Sequence, residues 1–315
     1  MNTTKAQLLL IALLLLSGMA CASTLDRDML DAALVGDDES ISSLLGRGVS
    51  PDTTSKFGKS AMMFAAEAGN SEVVKLLIKR GADVNARSVV GCTALTYAAE
   101  NGYLELVNFL IDKGGKTYPK TRAGWDALAM AIRQGHKGIV KSLIDKGANV
   151  NTSDKDGITA LMAAAERNEL AMVQMLVKAD ADTYVRNKDG MSAMMLAACK
   201  GNTNIVDALL KLKSNINAVD NDGSTALFCA AENGHSLTLA LLLQHKAKIN
   251  HKNMDGETAL FAAIINGQTD AVRLLLDRGA DTSIKNNKGE TAEALAKKRR
   301  LKDISYLLEQ KKRRR

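Results

Sequence analysis

Short apolar segments of helical spacing recur along most of the chain, each opened by a residue that can cap a helix and closed by glycine. Residues 255–284 show the pattern most clearly. Thr258 suits a helix N-cap, because its hydroxyl can accept from the free amides that follow, and Gly267 suits the left-handed residue that ends this helix. A second helix would begin at a cap formed by Thr269 or Asp270. Helices of about nine residues are marginal alone, so neighbouring pairs must stabilise one another.

The pattern repeats every 33 residues without insertion. The turn glycines are Gly58, Gly91, Gly124, Gly157, Gly190, Gly223, Gly256 and Gly289. Two positions later stands a capping residue: Ser60, Thr93, Asp126, Thr159, Ser192, Thr225, Thr258 or Thr291. A fixed period of this length predicts a stacked array in which each unit buries its apolar face against its neighbours.

The repeated motif reads Gly-x-Thr-Ala-Leu-x-x-Ala-Ala-x-x-Gly, then Val-x-x-Leu-Leu, then Gly-Ala-Asp-Val-Asn. It resembles the ankyrin repeat. The resemblance implies an all-α solenoid of stacked helix-turn-helix units joined by β-hairpin-like turns. This chain departs from the family in one consistent way, because alanine replaces the proline after the cap in all eight units. The histidine two places later is also missing, so its hydrogen bonds must be supplied elsewhere.

The register predicts four segments. We expect a signal peptide over residues 1–22, a degenerate N-terminal capping repeat over 23–54, seven repeats over 55–285, and a C-terminal capping repeat with a basic tail over 286–315. In the middle repeats the glycine after the second helix is replaced by Asp180, Lys213 and Lys246. Each costs on the order of 1 kcal/mol if it is left-handed.

The N-terminus carries Lys5, an unbroken apolar run from Leu8 to Leu16, and the small residues Ala20-Cys21-Ala22. Nine apolar residues fall short of the roughly 20 that span a bilayer, so we expect a cleaved secretory signal. A secreted or periplasmic protein, of bacterial origin, would follow. Two alternatives are an apolar helix that caps the array, and a lipidated Cys21 that anchors the protein to the outer membrane.

The other cysteines are Cys92, Cys199 and Cys229. Because the resemblance implies a spacing of about 10 Å between consecutive units, beyond the reach of a disulfide, no disulfide is expected. These residues are interpreted as small packing residues, with Cys92 the most exposed.

The net charge of +7 is concentrated at the C-terminus, where ten Lys and Arg from Lys297 onward face two acidic residues. That segment has a net charge of +8, which leaves −1 for the rest. The final residues are Lys311, Lys312, Arg313, Arg314 and Arg315. They are interpreted as a solvated terminus, or as a patch attracted to an anionic membrane surface. A secretory signal argues against nucleic acid as the partner.

No pattern indicates catalysis, a cofactor or a metal. Gly58-Lys59-Ser60 and Gly115-Lys116-Thr117 lack the earlier glycine of a phosphate-binding loop. The four histidines have no metal-ligand spacing, and His136 and His235 are assigned structural roles by their place in the repeat.

Recognition of another protein is therefore the expected function. The resemblance implies that the turn tips and the concave, first-helix face contact the partner. Later tips are hydrophilic, whereas early ones carry aromatic, aliphatic and basic residues typical of interaction hot spots. The candidate partner-binding residues are Lys56, Phe57, Val89, Val90, Lys120, Arg122, Trp125 and Arg133. Phe64, Tyr97 and Phe109 are assigned to the core. We expect a monomeric interaction scaffold; the alternatives are a membrane-tethered lipoprotein-like protein and a host-directed secreted effector.

Overall fold

The computed structural model describes residues 24–212 and 214–313. The predicted signal peptide, the candidate lipidation site Cys21, and the basic residues Lys213, Arg314 and Arg315 lie outside them. The described ranges hold eighteen helices and, in place of strands, isolated β-bridges such as Thr54 with Ser60. None of these helices is both long enough and apolar enough to cross a bilayer.

The chain forms two compact units, the first ending at Asn149 and the second beginning at Val150. The helices of the first unit are α1 Thr24–Val35, α2 Asp38–Gly46, α3 Ala61–Ala68, α4 Ser71–Lys79, α5 Ala94–Glu100, α6 Leu104–Asp112, α7 Ala127–Gln134 and α8 Lys137–Asp145. Those of the second are α9 Ala160–Glu166, α10 Leu170–Lys178, α11 Ala193–Cys199, α12 Thr203–Lys211, α13 Ala226–Glu232, α14 Ser236–Gln244, α15 Ala259–Ile265, α16 Thr269–Asp277, α17 Ala292–Lys298 and α18 Lys302–Arg313.

Each predicted capping residue is the N-cap of the first helix in its repeat. Seven of the eight accept a hydrogen bond from the backbone N–H three residues later, as Ser60 does from Met63; Thr258 is the exception. The prediction for the second helix was wrong. Gln268 is its N-cap, without a side-chain bond, and Thr269 is already helical.

Small residues let the first helices pack closely within each unit. In the first unit α1 contacts α3, α3 contacts α5, and α5 contacts α7, and the same order continues from α9 to α17 in the second. The Ala-Ala pairs at these contacts are buried, for example Ala65-Ala66 and Ala230-Ala231. The second helices cover the other side with aliphatic residues, such as Val73, Val74 and Leu77 of α4.

A polar side chain just after the first-helix terminator ties several repeats to the one before. The Asn70 amide donates to the Ala33 and Leu34 carbonyls, and the Asn202 amide donates to those of Ala165 and Glu166. At the same position in other repeats, His136 Nε2 lies 3.0 Å from the Glu100 carbonyl and His235 Nε2 lies 3.0 Å from that of Cys199. The structural role assigned to the two histidines is thus confirmed.

Among the described residues, four that are not glycine adopt the left-handed conformation where the repeat favours glycine or asparagine. Their φ angles are 61° at Asn168, 61° at Asp180, 65° at Lys246 and 56° at Arg300. Asp180 and Lys246 therefore meet the condition under which a cost was expected. Both are β-carbon-bearing residues in a region that is costly for them.

Two expectations for the cysteines were wrong, namely that none forms a disulfide and that Cys92 is the most exposed. Cys199 and Cys229 form a disulfide, with their Cα atoms 4.7 Å apart. The spacing of about 10 Å applies to equivalent positions, whereas these two residues are 30 positions apart and meet diagonally between the packed helices α11 and α13. Cys92 is the free cysteine among the described residues, and it is buried, with 8% of its surface exposed.

Candidate interaction surface

Three turn tips of the first unit are joined edge to edge by backbone hydrogen bonds. They lie before α3, α5 and α7. The Val89 N–H donates to the Phe57 carbonyl and the Arg122 N–H donates to that of Val90, both at 2.8 Å. The Arg87 guanidinium reinforces the second link by donating to the Lys120 carbonyl. We call this array the tip surface; its residues are Lys56, Phe57, Arg87, Val89, Val90, Lys120 and Arg122.

The apolar side chains of the tip surface are exposed. Phe57 is 57% exposed, and Val89 and Val90 are each 48% exposed. Lys56 and Arg122 are exposed and Lys120 is half-buried. The Lys56 ammonium lies 5.1 Å from the centre of the Phe57 ring. The structure therefore brings six of the eight candidate residues into one array.

Trp125 and Arg133 form a separate pair. Arg133 of α7 stacks its guanidinium 3.9 Å over the Trp125 ring, which is half-buried. The sequence suggested an exposed aromatic anchor, but the Trp125 ring is half-buried under Arg133. The Trp125 backbone N–H donates to Thr121 Oγ1 and so closes the turn. Trp125 lies three residues beyond Arg122 of the tip surface along the chain, and Arg133 belongs to α7.

Sequence reasoning did not select Arg87, although a signal was present. The position 33 residues later is Lys120, and Arg186 occupies the same place in a later repeat. Arg186 likewise donates across to the Val219 carbonyl. A basic side chain at this register position thus links consecutive tips in both units.

A cluster on the first-helix side of the first unit was also missed. Lys59 is turned inward, with 15% of its side chain exposed, and its ammonium lies 2.5 Å from Glu67 Oε2. It also lies 4.3 Å from the centre of the Phe64 ring and 4.4 Å from that of Tyr97. The Phe64 ring is buried as expected, while Tyr97 and Phe109 are half-buried, so the core assignment held only for Phe64.

Burial governs the titration of the neighbouring groups. It is the main cause of the raised pKa of Glu100, with the Glu67 charge as a second contribution. Burial likewise raises the pKa of Tyr97 and of the Cys92 thiol. Cys92 therefore stays a neutral thiol at neutral pH, which makes it a poor nucleophile.

The residues described by the structure contain no group of His, Cys, Asp and Glu arranged to hold a metal ion. The tip surface presents a rigid array of apolar and cationic side chains.

A family model described as ankyrin repeats (3 copies) matches the chain over residues 29–121, 115–187, 179–253 and 250–314. No curated protein matches the chain at a significant level. Ankyrin repeats are generally protein–protein interaction modules and typically lack enzymatic activity. The match covers nearly all of the described helices, and the structure has the expected all-α repeat architecture, so the chain belongs to the ankyrin-repeat family.

Proposed function

We propose that this chain is a monomeric scaffold that binds another protein through the tip surface of its first unit. The observation that carries the proposal is the exposure of Phe57, Val89 and Val90 on turns that are fixed to one another by backbone hydrogen bonds. Apolar side chains at these positions gain free energy only when something covers them.

The same turns in the second unit support this interpretation. Their tip residues are mostly polar, namely Lys155-Asp156, Lys188-Asp189, Asn221-Asp222 and Met254-Asp255. The turn itself therefore does not need apolar side chains. A rigid array loses little conformational entropy on binding, which favours affinity without any chemical step.

The test compares two triple variants in partner capture from extract of the source cells. Phe57→Ser, Val89→Ser and Val90→Ser remove the apolar tips. The matched control replaces exposed apolar residues of the second unit, Tyr184, Leu237 and Met254, with serine. We expect the first variant to lose the partner and the control to retain it, with unchanged helical content in both. Equal capture by both, or no protein retained by the parent chain, would contradict the proposal.

We further propose that the protein is exported. The apolar run Leu8–Leu16 motivates this, and the Cys199–Cys229 disulfide supports it, because disulfides persist mainly in oxidising compartments. Mass spectrometry of the mature N-terminus tests it. A chain that starts at Ser23 indicates simple cleavage, an acylated Cys21 indicates an anchored protein, and retention of Met1 would refute export through this signal.

Attachment to an anionic membrane surface is a second candidate function. Its support is the basic end of α18, where Lys312 and Arg313 are exposed. Removal of residues 311–315 should then abolish sedimentation with phosphatidylserine vesicles. Sedimentation of the full chain no greater than with phosphatidylcholine vesicles would rule the candidate out.

A further inference from the structure

We propose that the tip surface receives an acidic segment of a partner protein, in which Asp or Glu residues alternate with apolar ones. The proposal rests on the proposed function and adds the chemistry of the partner. It comes from the charge of the three tips, from the groups that close their turns, and from the apolar side chains between the charges.

The tip surface is uniformly basic. Lys56, Arg87, Lys120 and Arg122 contribute four positive charges, and residues 53–59, 86–91 and 119–125 contain no acidic residue. The carboxylates that flank these ranges in sequence accept from backbone N–H groups, as Asp126 does from Ala129. Asp52 accepts from the Asp83 N–H at 2.8 Å, and Asp83 accepts from the Asn85 N–H at 2.8 Å.

The groups that close these turns carry no charge, whereas some of those in the second unit do. In the second unit Asp154 and Asp220 close their turns by accepting from the backbone N–H groups of Ile158 and Ser224, and the neutral side chains of Asn187, Asn253 and Asn286 do so in the other repeats. In the first unit hydroxyl groups accept the hydrogen bonds that close the turns. Ser88 Oγ accepts from the Cys92 N–H at 3.1 Å, and Thr121 Oγ1 accepts from the Trp125 N–H at 3.1 Å.

The tips of the second unit carry carboxylates as well as cations. The same backbone link is made there, as from the Lys188 N–H to the Asp156 carbonyl and from the Asn221 N–H to the Asp189 carbonyl. Asp156, Asp189, Asp222 and Asp255 stand at the position held by Phe57 and Val90 in the first unit. The repeat thus accepts carboxylates at this position, and their absence from the first unit is a property of this surface.

The apolar residues of the tip surface favour one class of anionic partner over another. Phe57, Val89 and Val90 lie between the cationic side chains along the linked tips, and a partner gains from this arrangement only if it buries them. A phosphate chain would satisfy the charges and leave these residues exposed to water. A polypeptide supplies carboxylates and apolar side chains on one strand, and complementary charge adds selectivity and a faster association.

The experiment uses a random peptide library displayed on phage, selected against the purified full chain. We expect the selected peptides to be enriched in Asp, Glu and apolar residues. Their binding should weaken at least tenfold when Lys56 and Arg122 are both replaced by glutamate, and it should weaken as salt rises from about 50 to 300 mM. The matched control, with glutamate at Lys155 and Lys188, has the same change in net charge and should bind as the parent does.

The outcomes separate this inference from the proposed function. Peptides that depend on Phe57, Val89 and Val90 but not on Lys56 and Arg122 would overturn the acidic partner and leave the site standing. Peptides that depend on neither set would refute both. A selection without acidic enrichment overturns the inference, as does tip-dependent binding of single-stranded DNA or phosphatidylserine vesicles in its place.

Discussion

Cys199 ends helix α11, and its Cα atom lies 4.7 Å from that of Cys229 in the middle of helix α13. The disulfide between them closes a stretch with a sequence separation of 30. A cross-link of this kind limits the freedom of the unfolded chain, and the segment it encloses contains α12 and the following turn.

Reduction of this disulfide should therefore destabilise the second unit. We expect a loss of about 2–4 kcal/mol for the Cys199→Ser, Cys229→Ser double variant relative to the oxidised protein. Urea denaturation with and without reductant measures it. Cys92→Ser is the control, because it removes the buried thiol and should leave the effect of reductant intact. Alkylation of Cys199 and Cys229 in unreduced, denatured protein would show that the disulfide does not form.

The Asn202 side chain should contribute to the stability of the second unit. Its amide donates to the carbonyls of Ala165 and Glu166 at 2.8 and 3.0 Å, and Asn202 is buried. Asn202→Ala would remove both hydrogen bonds to these carbonyls and should cost about 1–3 kcal/mol in urea denaturation.

A histidine variant tests whether the bond itself is responsible. His235 makes the equivalent contact to Cys199 one repeat later, so Asn202→His should recover most of the loss. If the alanine and histidine variants are equally unstable, the packing of the side chain matters and the hydrogen bond does not.

Glycine at two strained positions should stabilise the protein. Asp180 and Lys246 have φ angles of 61° and 65°, where a β-carbon is costly. Asp180→Gly and Lys246→Gly should each gain about 0.5–1 kcal/mol, after allowance for the greater freedom of glycine in the unfolded chain. Asn168→Gly is the comparison and should gain less, because asparagine tolerates this conformation. No gain at either position would mean that local contacts already offset the strain.

The fold could be predicted from the sequence because the residues that begin and end each helix lie within the same repeat. The cap at Ser60 and the left-handed glycine at Gly69 act within a few residues, so the period alone locates every helix pair. The disulfide could not be predicted in this way. It depends on the diagonal approach of two packed helices, which the spacing of equivalent residues does not reveal.

The candidate site was predictable in part for the same reason. Subtracting the repeat pattern left Phe57, Val89, Val90 and Arg122 unexplained, and the structure places these four on linked tips. The repeat pattern did not explain Trp125 either, but its half-burial under Arg133 depends on a tertiary contact that the pattern does not reveal. The inward turn of Lys59 depends on Tyr97 in the next repeat, which is also a long-range contact.

Glu100 should make the first unit less stable as pH rises. Burial holds its pKa above the ordinary value of 4.5, so the folded chain retains a proton that the unfolded chain has already released. Stability then falls as pH rises from the unfolded pKa through the folded one, and the cost persists at neutral pH. Glu100→Gln removes the charge and should stabilise the protein at about pH 7 by on the order of 0.5 kcal/mol, because the group is partly solvated.

The matched comparison is Glu293→Gln in the last repeat, where the pH dependence of stability has the opposite sign. A hydrogen bond from Lys297 is the main cause of the lowered pKa of Glu293, so this carboxylate adds stability above its unfolded pKa and loses it as pH falls through the folded one. The glutamine variant should therefore be less stable than the parent at about pH 7 and similar to it in strong acid. Urea denaturation of both variants at about pH 2 and about pH 7 checks the pair. If Glu100→Gln destabilises at neutral pH as Glu293→Gln does, then attraction to Lys59 and Arg133 outweighs the burial of Glu100, and the predicted sign is wrong.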